Sequence, residues 1–254
     1  MSVRRLYDRG QHLYTLLEGF GHGEMVPTNQ VLIHDGAEAI LLDPGGHKVH
    51  YDLLSEVSAL IPIDQLKYLF FSHQDPDIVA AANAWLMLTD ASAYISDLWL
   101  RFIPHFGIDE LMLPRLHGIP DAGMRLQLGA SELIFLPAHY LHSPGNFQVY
   151  DPVSKILFSG DLGASIAPGY VEVTDFDAHV KYMEGFHLRY MPSARTNRCW
   201  ARMVRTLDIE CIVPQHGAIF PDRSTSARFI DWVEQLPGAV DRMDAIYQVP
   251  AARS

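Results

Sequence analysis

Cysteine is nearly absent from this chain: two occur in 254 residues, Cys199 and Cys211, and neither belongs to a Cys-x-x-Cys pair. That excludes a thiolate metal cage and a disulfide framework, and two buried free thiols are expected instead. Long apolar runs are missing too. Leu66 to Phe71 and Ile78 to Leu88 are the longest, well short of the roughly 20 residues that a membrane-crossing helix needs, so no membrane association is expected. The opening MSVRRLYDRG has adjacent arginines but no apolar segment or small-residue cleavage site, which is unlike a signal peptide and implies a cytoplasmic protein. Positive charge is scarce, with 19 Lys and Arg against 30 Asp and Glu and a net charge of -11. No stretch gathers enough cations to offset that, and nucleic-acid binding is excluded. Linkers, repeats and low-complexity segments are also lacking, so residues 1–254 read as one domain.

What is present is an apolar fraction of 48%, enough for a sizeable core, and 13 histidines, many for this length. Apolar runs bounded by turn residues predict strands at His12 to Leu17, Gln30 to His34, Ala37 to Leu42, Leu66 to Phe71, Glu132 to Leu136, Phe147 to Tyr150, Lys155 to Phe158 and Cys211 to Val213. Helical periodicity predicts helices at Val49 to Leu60, Asp77 to Leu88, Phe176 to Tyr190, Ser193 to Leu207 and Thr225 to Gln235. A β-meander followed by alternating strands and helices points to an α+β fold, and a four-layer αββα sandwich fits it.

Four strand ends carry metal-ligating residue types. Leu66 to Asn83, LKYLFFSHQDPDIVAAAN, runs from a strand into His73, Asp75 and Asp77 at alternate positions, then a helix; Asp77 also suits a helix N-cap. LPAHYLHSPGNF holds His139 and His142 in a loop between strands, KILFSGDLGAS delivers Asp161 into a glycine turn, and ECIVPQHGAIF presents His216. Each alone reads more readily as a turn aspartate or a satisfied histidine. Four in succession favour a divalent transition metal, whose ligands are imidazole and carboxylate. His12, His34, His47, His50, His105, His117, His179 and His187 follow no such pattern.

The motifs SHQDPDI, LHSPGNF, SGD and PQHG, after the opening TNQVLIHDGAEAILLDPGG, resemble the metallo-β-lactamase superfamily, and within it the diiron domain of flavodiiron proteins and related oxygen-binding diiron proteins. The resemblance spans nearly the whole chain and implies the metallo-β-lactamase-type αββα sandwich. It implies one metal on His73, Asp75 and His142, a second on Asp77 and His216, and Asp161 bridging both. Asp43 then supports the metal loop, and His139 is not a ligand but a pocket residue, as is His22 in the loop GFGHGE.

Two departures matter. Asp75 stands where flavodiiron proteins have glutamate, and Ile78, a candidate pocket residue, where they supply a histidine to the second metal. Either an open coordination position is left there for a small ligand, or a side chain from elsewhere compensates, or the second metal binds weakly. Hydrolytic zinc members resemble HxHxDH, whereas this chain has HxDxDI. The added carboxylate favours two iron ions, with manganese or zinc as substitutes. No flavin phosphate loop is visible and no bound FMN is expected. The resemblance therefore implies an oxygen-binding or oxygen-sensing diiron protein, or an O2 or NO reductase served by a separate electron-donor protein, with a homodimer as the expected assembly. The alternative is a binuclear hydrolase, a thioesterase or lactonase of the glyoxalase II type. Tyr140, Trp85, Trp99 and Phe102 are candidates for an apolar wall around a diatomic ligand, or ordinary core.

Overall fold

The structure, a computed structural model, describes residues 2–20, 26–243 and 246–250. Four strands open the chain: β1 (Ser2–Arg9), β2 (His12–Glu18), β3 (Asn29–Asp35) and β4 (Glu38–Leu42). Helix α1 (His50–Leu60) leads to β5 (Leu66–Phe70), the short helices α2 (Pro76–Val79) and α3 (Ala82–Leu88), β6 (Ser92–Ser96), α4 (Asp97–Leu100) and β7 (Leu116–Ile119). Then come β8 (Met124–Leu128), β9 (Ser131–Pro137), β10 (Phe147–Asp151) and β11 (Ile156–Gly160). Helices α5 (Phe176–Tyr190) and α6 (Ala194–Val204), strand β12 (Cys211–Pro214) and helix α7 (Arg223–Gln235) follow.

One sheet has the order β1-β2-β3-β4-β5-β6-β7, the other β12-β11-β10-β9-β8. The first is antiparallel through β4 and parallel from β4 to β7; in the second only β11 and β12 run parallel. Period-two alternation assigns each strand an inner and an outer face. Val31 and Ile33, Ile40 and Leu42, Phe70, Leu133 and Phe135, Ile156 and Phe158, and Val213 meet in the layer between the sheets. Their neighbours Leu32, Leu41 and Leu69 turn outward to α1 and α3, while Leu136, Leu157 and Ile212 turn outward to α5, α6 and α7. The result is the αββα sandwich.

Helix starts follow local chemistry. The side chains of Asp175, Ser193 and Asp222 accept the backbone N–H groups of Ala178, Thr196 and Thr225 and cap α5, α6 and α7. Asp75 occupies the cap position of α2 without a side-chain cap bond, which leaves its carboxylate for other work, and Asp77 lies inside that helix's first turn rather than capping it.

The single helix expected over 77–88 is broken, because the Ala81 N–H turns to the Gly45 carbonyl (3.4 Å). Strands β1, β6, β7 and β8 were not expected. Cys199 is exposed, not buried, whereas Cys211 is buried. Among the described residues no helix is long and apolar enough to cross a membrane.

Phe158 is fully buried between the sheets. Phe158→Ala should lower the urea-unfolding free energy of the chelator-treated protein by about 3–5 kcal/mol. A loss below about 1 kcal/mol would mean that the inter-sheet layer is not close-packed at that point.

Candidate metal centre

The loops that leave β5, β9, β11 and β12 lie at one edge of the sandwich, and backbone hydrogen bonds lock them together across the sheets. The Phe147 N–H donates to the Ser72 carbonyl (2.9 Å) and the Asn29 N–H to the Gln215 carbonyl (2.6 Å). His73, His142 and Asp161 form a triad whose nearest ligand atoms all lie within 4.8 Å of one another.

His73 is buried, and its Nδ1 lies 2.9 Å from Ser72 Oγ, whose proton goes to Asp43 Oδ2 (2.6 Å). Ser72 has one proton to give, so His73 must carry its own on Nδ1, and Nε2 is the nitrogen turned to the cavity. That Nε2 is 3.6 Å from Asp75 Oδ2 and 3.8 Å from Asp161 Oδ2. Asp43 also accepts the Ser72 N–H (2.7 Å). Burial nevertheless pushes its carboxyl up to about 7, against the Ser72 donors and the nearby His73.

His142 Nε2 is 2.9 Å from Asp161 Oδ2 and 3.7 Å from Asp75 Oδ2. Its ring lies against Tyr190 (5.3 Å) and Phe186 (6.0 Å) of α5. On the other side, His216 Nδ1 meets the Pro27 carbonyl (2.9 Å), so that nitrogen is the donor. The opposite Nε2 faces Asp77 Oδ2 at 3.3 Å and Asp161 Oδ1 at 3.5 Å.

Asp161 thus turns one oxygen to His73 and His142 and the other to His216. Burial pushes its carboxyl up, but the hydrogen bond with His142 and the charges of His73 and His216 outweigh that and hold it well below the usual range. Burial likewise opposes a charged His216, yet Asp77 and Asp161 raise it to about 9. Asp77 is held low in turn by His216, against the effect of burial.

These residues fit a metal pair. The buried His73 Nε2 and Asp161 Oδ1 have no hydrogen-bond partner, which would be costly in an apolar interior. Imidazole nitrogen and carboxylate oxygen are donors for divalent transition ions. The six ligand candidates therefore come together in two groups that share Asp161.

The remaining candidates lie elsewhere. His139 Nε2 is 2.8 Å from the Asp121 carbonyl and its ring packs on Phe147, a loop-holding position outside the cluster. Ile78 is fully buried in the apolar layer with Val49, Phe71 and Trp85. His22 lies outside the described residues. Trp85 is core, while Tyr140 and Phe102 are largely exposed.

Sequence reading missed Phe186, Tyr190, Gln74, Ser143 and His187. His187 is fully buried; its Nδ1 meets the Met183 carbonyl (2.7 Å) and its Nε2 accepts the Gly163 N–H (2.9 Å). It pins the turn that follows Asp161 to α5.

His187 yields a pH prediction. Burial lowers it from 6.5 to about 4, against the Met183 hydrogen bond. Its folded value is depressed, so the unfolded chain takes up the proton first as pH falls below 6.5. The stability contribution is complete above that point and is lost towards pH 4. Between pH 7 and 5 the apo wild type should lose about 2 kcal/mol more unfolding free energy than His187→Gln, measured by urea titration. Equal losses in the two proteins would rule out a neutral buried His187.

A model of the family described as ODP family beta lactamase matches residues 26–217, a span that includes all six clustered residues. A solved structure described as the peroxy diiron species of the chemotaxis sensor ODP is 38% identical, with a TM-score of 0.87, covering 96% of this chain and 100% of that one. A mutant form of the flavo di-iron protein from Thermotoga maritima shares the fold at 16% identity and a TM-score of 0.77, covering 92% of this chain and 60% of that one. Among curated proteins, an uncharacterised protein of Methanocaldococcus jannaschii is 26% identical over 80% of this chain. The chain spans about half of that relative's length, 52%.

Proposed function

The chain belongs to the ODP family of beta lactamases, and from that membership we propose that it is a non-haem diiron protein that binds O2, or NO in its place, as an oxygen sensor. The observation that carries this reading is the divided carboxylate of Asp161, with one oxygen towards His73 and His142 and the other towards His216. His73, Asp75 and His142 would hold one iron, Asp77 and His216 the second, and Asp161 would bridge them. When bound, the iron pair supplies electrons and coordination positions to a diatomic ligand.

The chain's own residues prepare that site. The Ser72 and Asp43 pair fixes the tautomer of His73, and the Pro27 carbonyl fixes that of His216, so both Nε2 atoms face the cavity before any ion arrives. Three carboxylates, Asp75, Asp77 and Asp161, offset three of the four charges of two divalent ions, which favours an anionic third party at the site. Phe186 and Tyr190 of α5 set aromatic rings against His142 on one side. The similarity to a chemotaxis sensor along both whole chains supports sensing over turnover. A reductase role, with a separate electron-donor protein, is the second reading. We also propose residues 1–254 as one functional unit, since a single apolar layer joins its two sheets.

Protein purified from iron-supplemented cells should carry two irons per chain, and the reduced form should change its visible absorption on exposure to O2. His142→Ala and Asp161→Ala should each hold at most one iron while staying folded. Two irons retained in both variants would refute the ligand assignment, and a reduced sample blind to both O2 and NO would end the diatomic reading.

A further inference from the structure

Gln74 lies between two ligand candidates, and its side chain joins their loops. Its Nε2 donates to Asp75 Oδ1 (2.9 Å), and its Oε1 accepts the Ser143 hydroxyl (2.6 Å). Ser143 Oγ accepts the Trp99 indole N–H (3.1 Å). Chemistry fixes the polarity at both ends. An indole nitrogen only donates and a carboxylate only accepts, so Ser143 must give its single proton to Gln74, and Gln74 must turn its amide nitrogen to Asp75. Such a chain has one arrangement, and its bonds reinforce one another.

Packing supports the same contact. The 143–145 turn lies directly on α4: a Cβ at Gly145 would meet Ser96 Oγ and Trp99 Nε1, each at 2.7 Å. Only glycine permits that approach. Ser143 is buried, so its hydroxyl has little access to competing water.

We propose that the chain Trp99–Ser143–Gln74 positions Asp75 for the metal and reports the state of that carboxylate to α4. Gln74 donates to Oδ1 and so orients the carboxylate with Oδ2 towards His73 and His142. This is how a side chain as short as aspartate is held on target: its free rotation is removed by an amide donor from the preceding residue. Any pull on Asp75 is passed through Gln74 and Ser143 to the indole. The α4 segment bears partly exposed Leu98 and, just beyond its end, Phe102, so a shift of Trp99 reaches the protein surface. Gln74 and Ser143 are positioning residues in this scheme and not ligands.

The inference rests on the ligand assignment above. Its test is a Zn2+ titration of the chelator-stripped full chain, reading bound zinc and tryptophan emission together. Subtracting Trp99→Phe isolates Trp99 from Trp85, Trp200 and Trp232. Zinc should shift the Trp99 emission in the wild type. Gln74→Met, which keeps the shape and removes both hydrogen bonds, should abolish the shift and weaken the tighter zinc by about tenfold or more. Ser143→Ala should abolish the shift as well, and the double variant should bind zinc no more weakly than Gln74→Met alone, because both changes break one chain. Zinc affinity within twofold of wild type in Gln74→Met, or an unchanged Trp99 response in either variant, would overturn the relay. Wild type that binds two zinc ions without a Trp99 response would overturn the relay alone, whereas wild type that takes up no zinc would overturn the ligand assignment with it.

Discussion

Asp161 is the constraint on which the rest is built. A carboxylate this buried is tolerable only when opposite charge surrounds it, and here three histidines from three different loops do so. Each of those loops must arrive at the same point. The sandwich achieves this by ending β5, β9, β11 and β12 at one edge and tying the two sheets there through Ser72, Phe147, Asn29 and Gln215. The apolar layer between the sheets makes the edge rigid, because a shift of one sheet would expose Phe70, Phe135, Phe147 and Phe158 together.

Around Asp161 two of the three histidines are fixed from behind. His73 leans on Ser72 and Asp43, His216 on the Pro27 carbonyl, and the turn after Asp161 on His187. These partners settle which nitrogen is free, which the six inner residues cannot do for themselves. Asp75 is the exception. Its side chain is partly exposed, has a short reach for its place, and is held by Gln74, with Ser143 and Trp99 behind it. Asp75 is thus the inner residue wired to α4, the link that the proposed sensing role would use.

Much of this was legible in the sequence, for physical reasons. Buried strands show as apolar runs, and β2, β3, β4, β5, β9 and β10 were predictable within a residue or two; α5 was predictable to the residue because Asp175 caps it and Pro192 follows it. His73, Asp75, Asp77, His142, Asp161 and His216 stood out because each follows a strand end. Strand β1, SVRRLYDR, escaped because it is an edge strand rich in charge, and β7 because LHGI is short and carries little apolar signal; β8, MRLQL, does alternate apolar and polar residues and was legible. The break between α2 and α3 depends on Gly45, more than thirty residues away, and no local pattern encodes it. Gln74, Ser143 and His187 were invisible because a polar residue declares a role only through the partner that the fold brings to it.

The central claim is that two ions share Asp161. Anomalous diffraction at the iron edge from crystals of the iron-loaded chain tests it directly. The account predicts two iron positions, one beside His73, Asp75 and His142 and one beside Asp77 and His216, each in contact with a different oxygen of Asp161. A single iron position, or two with Asp161 touching neither or only one, would contradict it.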